Sequence, residues 1–150
     1  MKSNRLTKHL FFVVVVMTVT TGCNRTEESD SIVEITERMF RTQIEEIYLN
    51  SDDYLGKTIR LEGIFVGFLW NQSYSYFVYR FAAGGCCGTD QVGFEVKWPE
   101  SLREPIPENN SWVQATGVLN YGVEETFVYL YLELTSLDVL TTRGMESVWR

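Results

Sequence analysis

The sequence predicts a mainly β fold: a small five-stranded OB-like barrel preceded by one amphipathic α-helix. Apolar residues between Ile32 and Tyr48 recur at three- and four-residue steps, the period of one helical face. From Thr58 onward the period changes to two, through five stretches separated by turn-forming residues. The first of these stretches is long and carries Gly63 and Gly67, positions where strands bulge or bend. Closing such strands into a barrel removes their exposed edges, and the OB type is the familiar five-stranded solution. A β-sandwich lacking strands is the alternative architecture.

The helix is expected to begin at Ser31, which with Glu34 has capping-box spacing. Ile32, Ile35, Met39, Phe40, Ile44, Ile47 and Tyr48 form its apolar face. Glu34 with Arg38 and Glu37 with Arg41 are spaced for i,i+4 pairs on the wet side, and Asn50-Ser51-Asp52-Asp53 ends it. Glu45 and Glu46 oppose an anionic membrane surface, so packing on the domain is the expected use of the apolar face.

The first strand alternates Ile59 and Leu61 with Arg60 and Glu62 and runs to Leu69. A second covers about Ser75 to Phe81. The third places Val92, Phe94, Val96 and Trp98 on one face, with Glu95 and Lys97 on the other. Pro99, Pro105 and Pro107 then enforce a loop. Trp112 to Leu119 is the fourth strand, and Asn120-Tyr121-Gly122 opens the turn into a fifth. That strand sets Val128, Leu130, Leu132 and Leu134 against Phe127, Tyr129 and Tyr131.

Ahead of the domain, Lys2, Arg5 and Lys8 precede an apolar run from Leu10 to Val19, and Thr20-Thr21-Gly22 lead to Cys23. That run is shorter than the ~20 residues a membrane-spanning helix needs, which favours a removable signal. The expected organisation is a signal peptide over 1–22, a lipid-attached tether over 23–31, and the helix-plus-barrel domain over 32–150. Cys23 is then the acylated residue of a lipoprotein held on the cell membrane and facing away from the cytoplasm. An ordinary cleaved signal or an uncleaved anchor is the alternative.

Of the 13 Lys and Arg, three precede Cys23, while all 20 Asp and Glu follow it. Ten cations against 20 anions repel a phosphate backbone, which argues against nucleic acid as a partner. An aromatic content of 14% is too high for a disordered chain.

The remaining thiols are adjacent, in Gly84-Gly85-Cys86-Cys87-Gly88. Consecutive strand residues point to opposite faces, so the flanking glycines indicate a loop that can turn both sulfurs together. A relaxed disulfide between neighbours is disfavoured, because Cα atoms about 3.8 Å apart fall short of the usual ~4.4–6.8 Å. The pair therefore reads as a thiophilic metal site, as a redox pair, or as packing residues. For a metal, Cys86 and Cys87 would be joined by Asp90, with Glu95 a more remote donor. Copper needs few thiolate ligands, whereas zinc requires further ones. Arg80 would lower a nearby thiol pKa, or stand on a solvated strand face.

The only histidine, His9, lies in the signal-like segment, so histidine-activated nucleophiles are missing and no enzyme activity is expected. Trp70, Trp98, Trp112 and Tyr129 are candidates for a sugar- or peptide-binding face, or for core and rim packing.

Glu45-Glu46-Ile47-Tyr48, Tyr54-Leu55-Gly56-Lys57-Thr58-Ile59 and Leu61-Glu62-Gly63 form a familiar opening. Phe77-Val78-Tyr79-Arg80-Phe81 then leads to Cys86-Cys87, Asp90-Gln91 and Val92-Gly93, followed by Trp112-Val113, Thr116-Gly117 and Trp149. From Ile32 to Trp149 the chain resembles the C-terminal domain of the YcgQ-like family, subunits of two-component permeases with a domain of unknown function. Family members carry transmembrane helices before this domain, where this chain has a lipoprotein-type signal. The cysteine region here is also richer in glycine. The resemblance implies an OB-like extracytoplasmic domain connected with transport, as an accessory to an integral membrane permease, and no known enzyme activity; zinc or copper is the metal expected from the cysteine pair.

Overall fold

The computed structural model describes residues 31–70, 72–84, 88–124 and 126–148. In chain order these form β1 (Val33–Glu34), a 3-10 turn (Glu37–Met39), α1 (Phe40–Leu49) and a second 3-10 turn (Ser51–Asp53). Then come β2 (Thr58–Trp70), β3 (Ser73–Ala83), β4 (Thr89–Lys97), β5 (Trp112–Glu124), β6 (Phe127–Val139) and β7 (Ser147–Val148).

Strands β2 to β6 close into a barrel in the cyclic order β2-β3-β4-β6-β5. The β4–β6 contact is parallel, with Glu95 opposite Tyr131, and the other barrel pairings are antiparallel. This is the connectivity of an OB-type barrel. Closure depends on β2 serving two neighbours. Its first half pairs with β5 up to Ile64, and its second half pairs with β3 from Ile64 to Trp70. Gly63 sits at the changeover, where a Cβ would lie 2.7 Å from the Tyr79 carbonyl oxygen. The bend read from glycine is therefore a requirement of close strand approach.

The barrel interior is filled by alternate residues, among them Ile59, Leu61, Phe65, Val78, Phe94, Val96, Val113, Ala115, Leu119 and Leu132. Phe40, Ile44 and Ile47 of α1 are buried and join the same core. Burying side chains of this size stabilises the fold by about 1.5–3 kcal/mol each. A bulge between Thr116 and Gly117 leaves Thr135 of β6 as an extra residue, so Leu134 and Leu137 both reach the core.

The N-terminus departs from expectation. Helix α1 starts at Phe40, not Ser31, and Val33–Glu34 is a strand parallel to Ile59–Arg60. The first residues of β2 have β5 on one side only, and β1 covers their open edge, with the Ile35 N–H donating to the Arg60 carbonyl at 2.8 Å. Gln43 secures the change of direction by accepting from the Thr36 N–H and donating to the Glu34 carbonyl, both at 2.9 Å. The predicted i,i+4 pairs are replaced accordingly: Glu34 meets Arg60, Glu37 meets Arg80, and Arg41 meets Glu45. At the other hairpin, β5 runs through Asn120-Tyr121-Gly122 to Glu124, so the predicted turn lies farther on. The hairpin projects past the core, which leaves Val128 exposed although it shares a face with Leu132.

Candidate ligand-binding groove

The outer face of β3 is aromatic at every second residue: Phe77, Tyr79 and Phe81 alternate with the inward Val78, Arg80 and Ala82. On β4 the outward set is Gln91, Gly93 and Glu95. Two projecting hairpins and the end of α1 wall this face. An open cleft of about 880 Å³ results, lined by Tyr48, Ser51, Phe68, Ser75, Phe77, Tyr79, Gln91, Gly93, Glu95, Glu124, Phe127, Val128, Tyr129 and Leu130.

Ring pairs build the walls. Phe68 stacks on Phe77 at 5.5 Å, and Phe127 lies parallel to Tyr129 at 6.5 Å. Tyr79 meets Phe81 edge-on at 5.4 Å. The ring of Tyr129 lies where a side chain on Gly122 would stand, and its hydroxyl accepts from Lys97 Nζ at 2.8 Å. Gly93 forms the floor. A Cβ there would collide with the Val78 carbonyl oxygen, so β3 and β4 approach closely only because the side chain is absent. The Gly93 carbonyl accepts from the Tyr48 hydroxyl at 3.2 Å. Tyr48 is half exposed, yet burial of its hydroxyl raises its pKa, with Glu95 adding to the effect.

Glu95 is the polar centre of the groove. Its cross-strand neighbours are Phe77 and Tyr131, both aromatic. Burial raises its pKa; Lys97 opposes the shift and Glu124 reinforces it. Lys97 is itself engaged, 3.9 Å from the centre of the Tyr131 ring. A second depression, of about 700 Å³ beside Pro99, Leu102 and Glu133, has no aromatic lining.

At the far end of the β3–β4 hairpin the Gly84 N–H donates to the Gly88 carbonyl at 2.9 Å. Asp90, exposed and paired with Ala82, has its Oδ1 3.4 Å from the Cβ position of Gly84. Arg41 Nη1 donates to the Ala83 carbonyl at 2.7 Å, bringing a cation to the base of this turn.

Residues 17–143 match the DUF1980 C-terminal domain. The chain belongs to that family. The match spans the positions of Cys23, Cys86, Cys87 and Asp90 and agrees with the domain of unknown function that the residues resemble. No curated protein matches the chain.

In this DUF1980 C-terminal domain, Cys23, Cys86, Cys87, Trp149 and the side chain of Trp70 lie outside the described residues. Among the described residues, no three His, Cys, Asp or Glu side chains converge to hold a metal, and no helix is long and apolar enough to cross a membrane. Asp90 and Glu95 fall on opposite faces of β4, because their odd separation reverses the side-chain direction, so Glu95 does not join the cysteine turn.

Arg80 is not on a solvated face. It is 1% exposed, between the rings of Phe40 and Trp112 at 4.8 and 4.7 Å. Its Nε donates to the Glu62 carbonyl at 2.8 Å, and Nη1 donates to Glu37 Oε2 at 3.0 Å and the Met145 carbonyl at 3.1 Å. Three of the four residues proposed as one aromatic face are described, and they are separated. Trp112 is buried beside Arg80, Trp98 packs on Phe65 and Tyr76, and Tyr129 lines the groove. The aromatic alternation on β3, of which Phe77 and Tyr79 line the groove, is the sequence signal that marks it.

Proposed function

We propose that this domain is a non-enzymatic binding module, carried outside the cytoplasm on an N-terminal lipid at Cys23 and acting as accessory to an integral membrane permease. The observation that carries the binding role is the aromatic groove over β3 and β4, open to solvent and walled by paired rings. Pockets of this kind, apolar with a few placed polar groups, are the usual form of small-ligand sites. The acidic balance disfavours nucleic acid, and the single histidine, His9, precedes Cys23. Anchoring is supported by the charged start, the short apolar run and Gly22-Cys23; the permease is supported by the family resemblance.

A fatty-acid probe is expected to label the wild-type protein in cells and to spare Cys23→Ala. A multi-span membrane protein is expected to co-purify with the wild type in mild detergent. Equal labelling of both forms removes the lipid anchor, and purification without any such partner removes the accessory role.

A second site is favoured by the Gly84–Gly88 hydrogen bond, which brings together the residues flanking Cys86-Cys87, with Asp90 beside them. Cys86 and Cys87 with Asp90 would take zinc or copper, further ligands coming from a partner or water. Protein purified under reducing conditions is then expected to carry near-stoichiometric metal, and Cys86→Ser with Cys87→Ser to lose it while staying folded. Metal at background level in the wild type assigns the thiols to packing or redox chemistry.

A further inference from the structure

Glu95 and Glu124 are the charged side chains lining the groove, and both are anionic. The residues around Glu95 are aromatic: Phe77 lies directly across on β3, Tyr131 across on β6, and Tyr79 and Tyr129 along the cleft. Lys97 offsets part of the Glu95 charge, but its ammonium is held by the Tyr129 hydroxyl and the Tyr131 ring, so the two carboxylates of the groove outnumber the one cation beside them. A ligand settling over this face strips water from Glu95. A neutral ligand would leave the carboxylate desolvated with only the partial compensation of Lys97, and an anionic one would add repulsion. A cation offsets the lost hydration and also gains from the surrounding ring faces.

We propose that the groove selects an organic ammonium ion, with Glu95 as its counter-charge, Glu124 at the rim, and Phe77, Tyr79 and Tyr129 as the aromatic wall. This rests on the groove being the binding site. Lys97 already shows the favoured geometry, an ammonium over a tyrosine ring at 3.9 Å, within the same sheet face.

The test is a ligand-observed NMR titration of the full chain in a neutral detergent. Choline is compared with its uncharged isostere 3,3-dimethyl-1-butanol. Choline is expected to bind at least about tenfold more tightly, and Glu95→Gln to abolish that preference while leaving the circular dichroism spectrum unchanged. Glu124→Gln, at an exposed hairpin end, provides a second variant and is expected to weaken choline binding to a smaller extent. Equal binding of the two probes, lost in Phe77→Ala, overturns the cation preference and leaves the groove as a binding site. Binding of neither probe overturns the preference and counts against the groove itself.

Discussion

Glu37 and Arg80, 43 residues apart in sequence, meet at 3.0 Å and tie both ends of the domain to the barrel. The same Glu37 oxygen that accepts from Arg80 accepts from the Met145 N–H at 2.9 Å, while Arg80 itself donates to the Met145 carbonyl. One buried guanidinium thus fastens the segment before α1, the first barrel strand β2 through Glu62, and the chain leading into β7.

Removing that guanidinium should be costly. Arg80→Ala leaves the Glu62 and Met145 carbonyls without their donor and opens a space between Phe40 and Trp112. The expected loss is about 2–4 kcal/mol, read from urea unfolding. Glu37→Gln should cost less, about 1 kcal/mol, since an amide oxygen still accepts from Met145 and the position is partly hydrated. A smaller loss for Arg80→Ala than for Glu37→Gln would contradict the assigned network.

Two carboxylates should give the domain opposite responses to pH. Hydrogen bonds from Met145 and Arg80 hold the Glu37 pKa below the ordinary 4.5. Its contribution to stability is present above the unfolded-state pKa and lost as pH falls through the folded one. The stability gap between wild type and Glu37→Gln should therefore close on acidification below about 4.5. Unfolding curves that stay parallel down to pH 3 would refute it.

Glu95 works the other way. Burial raises its pKa, so the ionised form costs stability at neutral pH and the cost disappears on protonation. Glu95→Gln is expected to be at least as stable as the wild type at pH 7, with the difference shrinking towards pH 4. A clear loss of stability in the variant at pH 7 would make Glu95 a structural residue.

Gly93→Ala tests the groove floor. The new methyl collides with the Val78 carbonyl and lies 2.7 Å from the Tyr79 Cα, so backbone must move. The expected cost is about 1–3 kcal/mol, measured by thermal unfolding.

Helix α1 is expected to be part of the folded unit. Ile44 is 1% exposed, and Ile44→Ala should lower stability by about 2–5 kcal/mol. A change under 0.5 kcal/mol would mean that this face is not packed on the barrel.

The barrel was legible because period-two alternation at Ile59-Leu61 and Val92-Phe94-Val96 reports burial directly, and because Gly63 marks the bend that closure requires. The helix start was misread because Ile32 and Ile35 fit the helical face that continues through Phe40 and Ile44, although this segment forms a strand edge. Only the unpaired side of β2 decides between them, and that is a property of the tertiary fold. Arg80 was misread for a related reason: nothing local announces that Glu37 and Met145 converge on it. The aromatic alternation of Phe77, Tyr79 and Phe81 was readable, but its outward direction follows only from Val78 and Ala82 filling the barrel. The turn at Asn120-Tyr121-Gly122 carried correct turn chemistry, overruled by cross-strand packing of Tyr129 on Gly122.

Amide-resolved NMR of the protein, titrated with choline, a neutral oligosaccharide and a short oligonucleotide, tests the groove most directly. Saturable shifts are predicted at Phe77, Tyr79, Gly93 and Glu95, with choline the strongest of the three. Shifts confined to the Pro99–Leu102 depression, or none with any ligand, would contradict the assignment of this face as the binding site.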